Sequence, residues 1–259
     1  MNGLSLAIET LQPHIAAVGL LGARLVPVAF LCPLLGGQHT PTHVKLGLVL
    51  ALASVLHFEA GLGAHHGALT LVWVGWALKE AVLGTTLGLI AALPFDAARI
   101  GGRFIDLFRG SSAEAALPLA GSTEAASGDA LHSLMLAIAA TGVIMPLVLG
   151  ALFRSYQWVP LGSFAHSDQV ALEVARLVGG AFATGLAIGA PFAALSLVVD
   201  TLLGLGSRAS AGMNLQDTAA PLKILGGGGL FWLALGVLAQ RLQGLALETP
   251  DAMQRLLEQ

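Results

Sequence analysis

Four ionisable side chains interrupt runs that are otherwise apolar: Arg24, the adjacent Lys79 and Glu80, and Asp200. On insertion scales each costs about 2.5–3.5 kcal/mol at a bilayer centre, so each should face protein, water or another charge. Glu80 and Asp200 read as groups buried against another helix or subunit. Arg208 and Lys223 flank the turn between the last two apolar runs and read as snorkelling side chains. Lys79 and Glu80 are neighbours, about 100° apart on a helix, and are expected to need separate partners. Metal chemistry has less support. His39 and His43 are spaced i, i+4 in HTPTH, but Pro41 lies between them and argues for a loop. His65 and His66 are adjacent, and His57 and Glu59 in HFEAG lack the spacing of a zinc protease. The sequence holds no G-x-x-x-x-G-K-[ST] phosphate loop and no G-x-S-x-G nucleophile elbow. No catalytic, cofactor-binding or metal-binding residue is assigned.

The elements that position these charges must be membrane segments. The chain has 259 residues, 56% of them hydrophobic and 10% charged, with a net charge of −3. A soluble domain carries about 25% charged residues, and no globular fold of this size hides so much apolar surface. That composition excludes a soluble enzyme, a disordered chain and a basic nucleic-acid binder. Cys32 is the single cysteine and cannot form an internal disulfide. The first fourteen residues carry Glu9 and no Lys or Arg, so a cleavable signal peptide is not expected.

The fold class expected is an all-α polytopic membrane protein, with several kinked or broken helices and a long helical hairpin at its end. A span needs about 20 mostly apolar residues. Six segments qualify: 15–35, 44–63, 69–93, 130–153, 170–206 and 222–247. The fourth is the cleanest, because it contains no charged residue. The fifth exceeds one simple crossing, and Pro191 is expected to kink or split it. The sixth opens with four glycines, 226–229, that weaken a helix or admit another backbone. Gly-x-x-x-Gly spacings at 84–88 and 185–189 suit close helix packing.

The long connection expected at 94–129 contains Asp96, Arg99, Arg103, Asp106, Arg109, Glu114, Glu124 and Asp129. Within it, 95–109 has a helical pattern that places Asp96, Arg99, Arg103 and Asp106 in an arc of about 80°. Phe95, Ile100, Phe104, Ile105, Leu107 and Phe108 fill the rest. A surface helix shows the opposite balance, so this one should be embedded, with a polar stripe facing water or matched by neighbours. The pairs Asp96–Arg99 and Arg103–Asp106 can form at i, i+3.

These residues resemble a known family. The tract KEAVLGTTLGLIAALPFDAARIGGRFIDLFRGSSAEAALP is similar to the T subunit of the type III secretion export apparatus, the FliR/YscT/HrcT family. The matching residues are Lys79–Glu80, Gly84, Gly88, Gly102, Asp106, Arg109–Gly110 and Pro118. Further matches are ARLVPVAFLCPLLG (23–36), RSYQWVPLG (154–162) and GAPFAALSLVVDTLLGLGSRASAGMN (189–214). The Trp-containing RSYQWVPLG looks closer to the injectisome branch than to the flagellar one. AGMNLQDTAAPLK departs from the family's usual Pro-x-Leu-Asn run.

The resemblance implies a non-enzymatic core subunit of a protein-export gate in the bacterial inner membrane, without cofactors. Implied partners are the R and S subunits, membrane lipid and secreted proteins in transit, with no nucleic acid. It also implies an R-like portion over 1–168 and an S-like helical hairpin over 169–259. The loop of Arg109, Gly110, Ser111, Ser112, Ala113, Glu114, Pro118 and Glu124 would plug the closed pore; composition alone gives a solvated connector. Two other classes stay open. A small-molecule or ion transporter would also bury Glu80 and Asp200, while an intramembrane hydrolase would need a nucleophile–base pair that is not evident.

Overall fold

The computed structural model describes residues 3–36, 40–62, 71–109, 126–162, 170–209 and 216–258. All regular structure among them is helical. Eight α-helices follow in order: α1 (Gly3–Leu31), α2 (Thr42–Phe58), α3 (Leu71–Arg109), α4 (Ala126–Thr141), α5 (Ile144–Trp158), α6 (Val170–Ala209), α7 (Gln216–Leu247) and α8 (Thr249–Leu257). A 3-10 turn, Pro33–Leu35, follows α1. Among the described residues, four stretches are long and apolar enough to cross a membrane: Thr10–Leu31, Leu71–Arg109, Val170–Arg208 and Pro221–Leu257. The bent pair α4–α5 makes a fifth if it counts as one span.

The elements are those of a polytopic helical membrane protein, with boundaries that differ from the six expected. The third segment does not stop at residue 93. It continues through Pro94 to Arg109 as one helix of 39 residues, about 58 Å long at 1.5 Å per residue. The hydrocarbon layer is about 30 Å thick, so the charged second half of α3 need not lie in it. The uncharged segment 130–153 is broken between α4 and α5 by a bend of 73°. Pro146 lies in the first turn of α5. Its ring would clash with the carbonyl of Gly142 in a continuous helix, and it has no N–H to offer. Pro191 does not split α6, which runs unbroken for 40 residues. The glycines 226–229 lie inside α7 rather than at its start.

The described chain forms two compact units, interleaved along the sequence. The first comprises Met1–Ala92, Ala140–Leu177 and Leu247–Gln259. Its centre is α1, where Ala16, Ala17, Leu20, Leu21, Leu25 and Val28 are all buried. Their i, i+1, i+4, i+5 spacing makes one broad helical face. The first half of α3 packs on α1 through glycines. A Cβ at Gly84 would fall on the Arg24 carbonyl, and one at Gly88 would come 2.9 Å from the Val28 Cα. The indole of Trp73 donates to the Ala16 carbonyl at 3.0 Å. At the end of the chain, α8 lays Ala252, Met253, Leu256 and Leu257 against its neighbours.

The second unit comprises Leu93–Ala139 and Val178–Ala246. In it the second half of α3 and α4 run antiparallel, with Gly102 against Gly128 and Phe95 edge-on to His132. Helices α6 and α7 form an antiparallel pair in which Phe192 meets Phe231 and Lys223 meets Asp200. The Gly185 and Gly189 pair of α6 lies against Ile100 and Phe104 of α3. Little of the last two spans is buried within this chain, 28% of the α6 window and 11% of the final one. Leu197, Leu202, Leu225, Trp232 and Leu233 are each more than 60% exposed. Such a surface suits lipid or other subunits, not water.

Candidate functional site

In the first unit, the charge expected inside the first apolar segment organises a buried polar node. Arg24 projects from the buried face of α1 and is 1% exposed. Its Nε donates to Glu80 Oε2 of α3 at 2.6 Å. One terminal nitrogen donates to the Ser155 carbonyl at 2.8 Å and to Ser155 Oγ at 3.2 Å. The other donates to the Val159 carbonyl at 2.8 Å. The guanidinium also lies 4.2 Å from the centre of the Tyr156 ring, and the Tyr156 hydroxyl donates to the Leu21 carbonyl at 2.8 Å. Arg24 therefore caps the carboxyl end of α5, where carbonyls lack helical donors and the helix dipole favours a cation.

Glu80 has 0% exposure and also takes an ion pair from Lys79, at 2.8 Å. Glu80 thus has a partner of its own in Arg24, and Lys79 reaches the same carboxylate as well. The four-carbon lysine stem is long enough to swing its ammonium onto the neighbouring carboxylate. Three of the four tracts that carry the family resemblance converge here: 23–36, 79–118 and 154–162. A node of this kind fixes three helices: α1, α3 and α5.

In the second unit, a clamp joins the ends of α3 and α4. Asp106 Oδ2 accepts the Ser127 backbone N–H at 2.8 Å, and Oδ1 accepts the Ser127 hydroxyl at 2.6 Å. A carboxylate from another helix thus does the work of an N-cap for α4. Arg109 lies 3.8 Å from Asp106 and donates to Ser127 Oγ at 3.4 Å. It also reaches the Ile224 carbonyl of α7 at 3.2 Å. A Cβ at Gly227 would come 2.5 Å from the Arg109 Cγ, so the glycine tract makes room for the arginine stem. The two flanks of residues 110–125 are therefore tied to one place. Gly110, Ser111, Ser112, Ala113, Glu114, Pro118 and Glu124 lie outside the described residues.

The polar stripe of α3 turns partly toward α4. Gly128 sits against the Arg99 carbonyl and the Arg103 stem, and Asp96 has Arg99, Arg103 and His132 as its ionisable neighbours. Asp200 is half exposed and pairs with Lys223 at 2.6 Å. Lys223 thus does not simply snorkel: the antiparallel register of α6 and α7 brings it to the acid. Arg208 is exposed on the last turn of α6. His14 and His57, 2.8 Å apart, are held together by α1 and α2. Among the described residues no group of three His, Cys, Asp or Glu could hold a metal ion. Ser127, Ser155, Tyr156 and Val159 were not singled out by their type. The signal for the last three was the RSYQWVPLG tract, and Ser127 had none.

Similarity to known proteins identifies the family. The sequence pattern of the bacterial export proteins, family 1, matches residues 15–249. The flagellar biosynthetic protein FliR of Bacillus subtilis (strain 168) is 27% identical over 200 residues, covering 74% of this chain and 75% of that protein. The secretion system apparatus protein SsaT of Salmonella typhimurium (strain LT2) is 26% identical over 154 residues, covering 58% of this chain and 59% of that protein. One relative is flagellar and the other is not, so these identities do not separate the two branches. The match runs over most of the chain, which therefore belongs to the bacterial export proteins, family 1.

Proposed function

We propose that this chain is a core subunit of a type III secretion export gate, lining and gating the path of unfolded secreted proteins. Membership of the export family and four helices able to span a bilayer make it a multi-pass inner-membrane protein and a component of the type III export machinery. The finer reading adds R and S subunits as partners, with the weakly buried faces of α6 and α7 as their contact surface. It assigns no catalysis to the chain. Residues 110–125 serve as the plug of the closed pore.

The observation that carries the plug reading is the clamp of Asp106, Arg109 and Ser127. It holds both flanks of 110–125 at one point, as a segment that must fill a narrow lumen and leave it reversibly would need. The tract itself is rich in Gly, Ser and Ala, so it has little means of forming its own core. The test deletes 112–122. The complex should assemble, the membrane should become leaky to small ions and solutes, and secretion should survive at least in part. Normal assembly with wild-type conductance would leave the tract as a connector.

A further inference from the structure

Among the described residues, Lys45 is a buried charged side chain that neither the node nor the clamp uses. It sits in the first turn of α2 and is 6% exposed. Its stem is folded across Gly36, where a Cβ would come 2.9 Å from both Cγ and Cε. Its ammonium lies 4.9 Å from the centre of the Phe30 ring, and it has no carboxylate partner among the described residues. A cation–π contact contributes roughly 0.5–2 kcal/mol, and it leaves the N–H donors of the ammonium unused. Those donors are open to an anion.

The surroundings point to the kind of anion. Pro41 is the residue before α2 and supplies no side-chain cap. Its carbonyl takes the N–H groups of Val44 and Lys45. The amides of Thr42 and His43 come too early to find an acceptor inside the helix, and they lie at the positive end of its dipole. Both residues are exposed. The first span ends at Leu31, which puts this corner at the edge of the apolar layer. Phe30, Leu31, Val44 and Leu48 are 38–50% exposed around it. A group with one oxyanion head and apolar tails matches both features.

We propose that Lys45 and the open amides of α2 form a seat for a phosphate group, supplied by the headgroup of an anionic phospholipid whose chains cover Phe30, Leu31, Val44 and Leu48. The ammonium provides the charge, the amides provide directed donors, and the exposed apolar side chains meet the acyl chains. A lysine near an anionic lipid surface is worth about a fivefold preference.

The test uses the full chain in its native assembly, in nanodiscs of phosphatidylcholine with and without phosphatidylglycerol. Phosphatidylglycerol should raise the thermal midpoint of the wild type. Lys45→Gln should lose that rise and retain roughly fivefold less phosphatidylglycerol in native mass spectra, while Lys45→Arg should keep most of it. Arg176→Gln, at a surface cation of α6, should behave like wild type. Inorganic phosphate added to phosphatidylcholine discs separates the sources: no effect assigns the lipid, whereas a Lys45-dependent rise assigns free phosphate and overturns the lipid. An equal response to phosphatidylglycerol in wild type and Lys45→Gln would overturn the site. If Lys45→Gln does not assemble, a photoactivatable phosphatidylglycerol on the wild type decides: cross-links within 40–48 support the seat, and cross-links only elsewhere remove it.

Discussion

Arg24→Met removes the donor on which three helices of the first unit converge. Four hydrogen bonds are lost, one to the Glu80 carboxylate and three to Ser155 and Val159 at the end of α5. The carboxylate, with 0% exposure, keeps only Lys79. Breaking one side of a buried pair costs about 3–5 kcal/mol. Taking about 4 kcal/mol and about 2–4 °C per kcal/mol for a chain of this size, the midpoint should fall by roughly 8–16 °C. Thermal unfolding of the purified assembly, followed by tryptophan emission, measures this; Trp158 closes α5 beside the node. The double variant Arg24→Met/Glu80→Met removes the stranded charge as well. It should therefore cost less than the two single variants together, by about 2–3 kcal/mol, the upper range of coupling for residues in contact. Additivity within about 0.5 kcal/mol, the behaviour of unconnected sites, would refute the idea that one coupled node holds these helices.

Gly84→Ala should disrupt the contact of α3 with α1, because its Cβ would meet the Arg24 carbonyl, whereas Gly75→Ala has open space and should be neutral or stabilising; complex yield compares the two. Asp106→Ala removes both bonds to Ser127 and should cost about 1–2 kcal/mol, as loss of a helix cap does, with Ser127→Ala costing less by the same thermal assay. Burial pushes the Cys32 thiol up to about 11 from 9.0, so at pH 8 its thiolate fraction is roughly a hundredfold below that of a free thiol. Maleimide labelling of the folded assembly should be correspondingly slow, and rapid labelling without denaturant would contradict that burial. Asp200→Leu should weaken assembly more than Arg208→Gln, because Asp200 pairs across to Lys223 of α7; equal complex yields would remove the ranking.

The helical membrane class was legible because 56% hydrophobic residues and 10% charge have few other solutions. The intramembrane charges were legible for the same reason: a group that costs kcal/mol in lipid stands out against apolar neighbours. Their partners were not. Arg24 meets Ser155 across 131 positions, and two of its four bonds go to backbone carbonyls, which every residue has. The break after Thr141 was written in Gly142 and Pro146, but the unbroken apolar run hid it. Helices α3 and α6 continue through Pro94 and Pro191, since neighbouring helices can sustain a helix that contains proline. Short α8 was missed because it is too polar for a membrane segment; its signal was Thr249, Pro250 and Asp251 followed by buried positions 252, 253, 256 and 257. The Gly-x-x-x-Gly spacings were ambiguous among 33 glycines. Packing distances alone identify both as points of close helix approach.

Co-expression with candidate R and S subunits, followed by purification through a tag on this chain alone, tests the central claim most directly. The expected result is one stable complex containing all three proteins, while the chain expressed by itself fails to give a monodisperse species because α6 and α7 leave most of their apolar surface uncovered. A thermally stable monomer that ignores both partners, and that gives saturable small-molecule flux in liposomes, would contradict the export-gate account and support a transporter.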